Sequence, residues 1–176
     1  MAVPLHVRVH FETAKNLYLY AWFVYRFFPI AEKQALTTLE FALREKLSAL
    51  NEDKSKQSRS PRGLRKLFNL AVEEGLISND GLRMNKAWAE SQARERVSME
   101  KQREMIALDL EAMEYDENDF EILPEDYSRD WMQVLSETLP SIRNSYAHGS
   151  AMLHPGVSAT FEIVTDLVNQ LYKEAA

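Results

Sequence analysis

The chain has 176 residues, 45% of them hydrophobic and 27% charged, so it is long enough to bury one hydrophobic core and too apolar to be disordered. It contains no cysteine, which excludes a disulfide framework, a cysteine nucleophile and a thiolate metal site. The net charge of −6 is unusual for a protein that binds nucleic acid, because phosphate binding normally requires a basic surface.

The N-terminal segment has no apolar core of the kind that marks a signal peptide. The most apolar run, Leu17 to Ile30, is interrupted by Arg26 and is too short to cross a bilayer. We therefore expect a soluble, cytoplasmic protein that forms a single domain over residues 1–176.

The first half of the chain shows helical spacing, and no segment alternates apolar and polar residues over the length of a strand. Thr13 to Phe28 is almost wholly apolar and predicts a buried central helix that ends or kinks at Pro29. Asn51 to Gly63 contains no apolar residue and predicts a loop. Between them, leucines at three- and four-residue steps predict a second helix: Leu36, Leu39, Leu43, Leu47 and Leu50.

The middle of the chain predicts one short and one long helix. Leu64 to Glu74 carries an apolar face and is followed by Gly75, which favours a helix end there. Lys86 to Glu114 predicts a long, highly charged helix, and the acidic stretch Tyr115 to Tyr127 predicts a loop. We interpret residues 86–127 as an insertion into the domain.

The last third predicts a helix from about Ser128 that Pro140 interrupts, because proline lacks an amide proton and clashes with the preceding turn. A final helix follows His154, Pro155 and Gly156 and carries an apolar stripe that includes Phe161 and Leu171. The predicted fold is all-α, a bundle of four to five helices with a charged helical insertion.

The charges are unevenly distributed along the chain. Six basic residues fall within thirteen positions that contain no acid, whereas Glu114 to Asp126 contains seven acids and no base. Both runs are typical of solvated surface, yet a basic cluster can also form a local binding patch in an acidic protein. We consider the basic cluster a possible RNA contact: Lys54, Lys56, Arg59, Arg62, Arg65 and Lys66.

The stretch "SIRNSYAHGS", residues 141–150, combines Arg143, Asn144 and His148. On an ideal helix Arg143 and His148 lie about 140° apart, whereas Asn144 and His148 share a face. A helix end at Gly149, or a two-fold dimer, would be needed to bring the arginine and the histidine together. Such a pair suits metal-free RNA cleavage, since histidine can transfer protons and arginine can stabilise phosphorane oxyanions. The alternative is structural: the helix dipole favours a histidine at a helix end, and an arginine there can pair with an acid.

The segment "IRNSYAHGS" resembles the signature of the HEPN superfamily, Arg-x4–6-His with a polar residue after the arginine. The stretches "ALTTLEFALREKL" and "GLRKLFNLAVEEGLI" are similar to the second and third helices of that superfamily, and the helix after "HPG" to its last. The resemblance implies an all-α homodimer with the motif near the two-fold interface. It also implies a metal-independent endoribonuclease without cofactors, of the kind found in toxin–antitoxin, phage-defence and RNA-processing systems.

Carried over by position, the resemblance makes Arg143 the residue that stabilises the transition state, His148 the proton-transfer residue and Asn144 the accompanying polar residue. Tyr146 lies inside the motif and is a possible RNA contact. The expected partners are RNA, with transfer RNA as one candidate, and an antitoxin or defence-system protein. Some members of the superfamily are instead non-catalytic modules that bind a protein or nucleotide partner, and this alternative stays open.

Two further features have a structural explanation. His6 and His10 are four residues apart, but no cluster of carboxylates accompanies them, so we expect no metal site. An aromatic run could stack on nucleic-acid bases, but a core or dimer-interface position is more usual for so much ring area: Tyr18, Tyr20, Trp22, Phe23, Tyr25, Phe27 and Phe28.

Overall fold

The computed structural model describes residues 3–53, 63–147 and 156–173. Those ranges contain six α-helices and no strand, which confirms the predicted all-α fold class. Two short 3₁₀ turns, Asn79–Gly81 and Pro124–Tyr127, flank the fourth helix. The helices are α1 (Leu5–Tyr20), α2 (Phe27–Asp53), α3 (Leu64–Glu73), α4 (Arg83–Ala107), α5 (Trp131–Ala147) and α6 (Val157–Leu171).

The long helix α2 is the centre of the bundle and contacts α1, α3, α5 and α6. Four of its five predicted stripe leucines are buried, and full burial of one leucine contributes about 1.5–3 kcal/mol. The other helices place their apolar stripes against this face. The buried residues from α3, α5 and α6 include Leu67, Phe68, Leu135, Leu139, Val164, Leu167 and Leu171.

The aromatic run spans the end of α1, a turn and the start of α2, so the prediction of a buried central helix over Thr13–Phe28 is wrong. Helix α1 ends at Tyr20 and α2 begins at Phe27. Pro29 lies in the first turn of α2, where a missing amide proton costs no hydrogen bond. The side chains in the turn between the two helices face solvent: Trp22 is 77% and Phe23 86% exposed.

Helix α5 continues through Pro140, so the predicted interruption there is also wrong. Proline removes one hydrogen bond of the helix interior, but Leu135 and Leu139 before the ring are buried, and Ile142 after it packs against the core, so both sides of Pro140 are held in the bundle. Arg143 and Asn144 consequently lie in the last turns of a long helix and not at the start of a new one.

Two predicted boundaries need adjustment and one is confirmed. Residues 51–53 belong to α2 and not to the predicted loop, whose remaining residues up to 62 lie outside the described ranges. Helix α4 ends at Ala107, well before Glu114, and Asp109 has a φ of +50° just after it. The short helix α3 ends as predicted, with Gly75 in the left-handed conformation at φ +69°.

Helix α4 lies at the edge of the bundle, where it contacts the two 3₁₀ turns and touches α6. Arg96 connects it to the segment that follows, through a 3.0 Å contact from Nη2 to Asp126 Oδ2 and a 2.8 Å hydrogen bond to the carbonyl of Glu121. These contacts make α4 and residues 121–127 one local unit, while the insertion of residues 86–127 stays a prediction. Within the described ranges, no helix combines the length and the hydropathy that a membrane span requires.

Candidate functional site

Arg143 in the last turns of α5 is held by a buried carboxylate of α2. Its Nη2 lies 3.1 Å from Glu40 Oε2, and Arg44 Nη2 donates a 2.9 Å hydrogen bond to the other oxygen, Oε1. The Glu40 side chain is only 10% exposed. Burying a lone carboxylate is costly, and the two guanidinium groups offset that cost. Glu40 therefore sets two arginines from different helices side by side.

The two arginines line a cleft of about 290 Å³ between α1, α2 and α5. We call it the arginine cleft, and its lining residues are His10, Thr37, Glu40, Phe41, Arg44 and Arg143. Two guanidinium charges against one carboxylate leave the cleft with a net positive charge, although the whole chain carries −6. The next acid on α2, Glu45, contacts His6 and the hydroxyl of Tyr172 and does not line the cleft.

His10 is the histidine of α1 that reaches this cleft. Its ring meets Phe41 edge-on at a centroid distance of 5.4 Å, and His6 meets the same ring at 5.3 Å. His10 Nδ1 lies 3.5 Å from Gln34 Nε2. The ring packs against Phe41, and an imidazole, an arginine pair and a carboxylate are all present in the same cleft.

Tyr146 is tied to a second buried carboxylate of α2. Its hydroxyl donates a 2.6 Å hydrogen bond to Glu32 Oε2, and Thr160 of α6 donates an equally short one to Oε1. Glu32 is fully buried. Burial, together with the hydrogen bond to Glu32 and its negative charge, raises the pKa of Tyr146 well above the usual range. The hydroxyl thus serves as a structural donor, and the predicted contact of Tyr146 with RNA stays a prediction.

The remaining motif residues are only partly described. Asn144 is exposed, and its Oδ1 accepts a 3.3 Å hydrogen bond from Arg143 Nη1. Its observed partner is therefore the arginine. His148 lies outside the described residues, so the predicted pairing of Arg143 with His148, and the support of His148 by Asn144, stay predictions.

The predicted basic cluster is described only at Arg65 and Lys66. Both are exposed on α3, and Arg65 Nη2 lies 3.6 Å from Glu137 Oε1 of α5. Glu137 precedes Arg143 by six residues, which is about 9 Å along the helix and about 120° around it. Arg65 therefore does not line the arginine cleft. The other four members lie outside the described residues: Lys54, Lys56, Arg59 and Arg62.

Four residues around the motif were not identified from the sequence as site residues: Glu32, Glu40, Arg44 and His10. In the described part of the chain, no group of three or more histidine and acidic side chains is arranged to hold a metal ion. No protein-family model, no curated protein and no solved structure matches the chain. The resemblance to the HEPN superfamily therefore depends on the quoted sequence segments alone.

Proposed function

We propose that this chain is a metal-independent endoribonuclease of the HEPN type that acts in the cytoplasm as a homodimer, without a cofactor. Its site residues would be Arg143 and His148, with Asn144 beside the arginine. The observation that supports this function is that Arg143 lines an open, net-positive cleft next to a second arginine. Both arginines share the Glu40 carboxylate, and the positive charge left over suits an anionic ligand.

The proposed reaction needs only proton transfer and charge stabilisation. The ribose 2′-oxygen attacks the adjacent phosphorus, its proton passes to a base, and the 5′-oxygen of the next nucleotide leaves with a proton. His148 would transfer these protons, because imidazole exchanges them near neutral pH. Arg143 would stabilise the extra negative charge on the phosphorane oxygens with its planar donors. The products would be a 2′,3′-cyclic phosphate and a 5′-hydroxyl.

A second candidate function is a non-catalytic module that binds a protein or nucleotide partner. The turn between α1 and α2 favours it, because Trp22, Phe23 and Tyr25 are all more than 60% exposed. Adjacent exposed rings of this kind mark interaction surfaces in soluble proteins. An enzyme of a toxin–antitoxin or phage-defence system would also need a surface for its antitoxin or regulator, so this observation does not exclude nuclease activity.

The proposed function is tested by incubating the purified protein with total RNA and with transfer RNA in EDTA. We expect cleavage that leaves 2′,3′-cyclic phosphate ends, and a loss of at least about 100-fold in rate in His148→Ala, as expected for loss of a general acid–base. Gln133→Ala is the matched control, because Gln133 is exposed on α5 and does not line the cleft. This variant should cleave RNA like the wild type.

Two results would count against the nuclease. Equal rates for His148→Ala and the wild type would remove the histidine from the mechanism. A folded wild-type protein that leaves both RNA substrates intact would favour the binding module.

A further inference from the structure

We infer that Arg44 and Arg143 together form a phosphate-binding subsite for single-stranded RNA in the arginine cleft, with His10 at its edge. The inference depends on the proposed function only in the choice of RNA as the ligand. Neither Arg44 nor His10 belongs to the motif that suggested the function.

The donors of the two arginines support a phosphate ligand. A guanidinium has five N–H donors in one plane, and Arg44 gives one of them to Glu40. Arg143 gives one to Asn144 and places another beside Glu40. The Arg44 side chain is 50% and the Arg143 side chain 36% exposed, so both have donors that solvent can reach. Paired planar donors fit the oxygens of a phosphate better than a single ammonium group does.

Glu40 acts as a positioning residue in this site. One of its oxygens accepts a hydrogen bond from Arg44, the other lies 3.1 Å from Arg143 Nη2, and the Glu40 side chain itself is nearly buried. The guanidinium groups of α2 and α5 are therefore held close together. Ordering two free arginines on binding would cost side-chain entropy, and a preformed pair avoids most of that cost. A single carboxylate also leaves the pair net positive, so the site still attracts an anion.

The other lining groups define what else can bind. The Thr37 hydroxyl donates to the carbonyl of Lys33, which leaves its oxygen as an acceptor. His10 lies with Nδ1 towards Gln34, which leaves Nε2 for a ligand oxygen. A cleft of about 290 Å³ is at the small end of ligand sites, so it suits one phosphate with part of its ribose.

The test is binding of a fluorescent 2′-O-methyl oligoribonucleotide, which lacks the attacking hydroxyl and cannot be cleaved. Anisotropy titrations in EDTA at several salt concentrations would compare the wild type with Arg44→Ala and Arg44→Lys. Arg8→Ala is the matched control, because Arg8 is exposed on α1 and lines a different surface groove. Circular dichroism melts would show that each variant is folded.

We expect Arg44→Ala to weaken binding by at least about tenfold, the size of one lost charge-assisted hydrogen bond. The slope of log K against log salt should fall by about 0.7, the value for one phosphate contact on a single strand. Arg44→Lys should keep the slope and recover only part of the affinity, whereas Arg8→Ala should match the wild type.

Equal affinity and salt slope for Arg44→Ala and the wild type would overturn the subsite, as would a wild type that does not bind the oligonucleotide at low salt. The outcome is separable from that of the cleavage experiment. Arg44-dependent binding without cleavage would leave the subsite standing and remove the nuclease. Cleavage by Arg44→Ala with an unchanged KM would support the nuclease and overturn the subsite.

Discussion

Tyr146→Phe tests whether the end of α5 is fixed by the buried Glu32. The change removes a 2.6 Å hydrogen bond to a carboxylate while Thr160 keeps its own bond to the same group. A hydrogen bond to a charged group contributes about 1.5–3 kcal/mol, so we expect a loss of about 2 kcal/mol. For a chain of 176 residues that corresponds to a fall in Tm of roughly 4–8 °C, measured by circular dichroism.

Tyr20→Phe is the control for this experiment, because Tyr20 is 63% exposed and surface substitutions usually change stability by about 0.5 kcal/mol or less. Alkaline pH gives a second measurement. The pKa of Tyr146 is raised in the folded state, so its contribution is complete below the ordinary tyrosine pKa of about 10 and is lost as the pH rises above it.

Above pH 10 the wild type should therefore lose stability more steeply than Tyr146→Phe, by at most about 1.4 kcal/mol per pH unit. The reasoning fails if Tyr146→Phe melts with the Tyr20→Phe control at neutral pH and the alkaline curves of the wild type and Tyr146→Phe coincide.

Two further changes test other parts of the fold. Hydrogen bonds from Arg96 and from the Leu123 amide lower the pKa of Asp126, so its contribution is present above the ordinary carboxyl pKa of about 3.8 and is lost as the pH falls through the lowered value. Asp126→Asn should therefore speed hydrogen exchange in α4 at neutral pH, and unchanged exchange would contradict the assigned contact. Gly75→Ala should lower the free energy of unfolding, measured in urea, by about 1–2 kcal/mol, because alanine is strained at a φ of +69°. No neighbouring atom would clash with the new methyl group, so the loss would come from the backbone alone. Gly75→Asn should cost less, since asparagine tolerates this conformation, and equal losses would argue against backbone strain.

The helices that the sequence predicted best are those with one clear apolar stripe. Helix α3 and helix α6 carry such stripes. The bounds of α3 agree with the prediction to within one residue, and α6 begins directly after Gly156, as predicted. The prediction for the aromatic run was wrong because residues 17–30 are almost all apolar. Their periodicity therefore could not show which side chains face the core. The prediction of a helix break at Pro140 was wrong for a different reason. It considered only the hydrogen bond that proline removes, whereas tertiary packing on both sides keeps α5 continuous.

The candidate site was predicted in part. Arg143 and Asn144 were identified from the motif, and the structure places the arginine in a cleft. Glu40 was missed because the second helix was predicted from its leucines alone. The spacing indicates that Glu40 is buried, because it is four residues after Leu36 and three before Leu43 and so lies on the buried stripe of α2.

The two buried acids of α2 explain how the end of α5 is held in place. Glu40 forms an ion pair with Arg143, and Glu32 accepts a hydrogen bond from Tyr146, so two polar contacts tie the last turns of α5 to one side of α2. Apolar residues of similar size would stabilise the bundle at least as well, because burying a carboxylate costs several kcal/mol before its partners offset it. They would not fix the rotation of α5 about its axis, since hydrophobic contacts have no direction. The acids therefore contribute position more than stability, and what they position is the arginine of the motif.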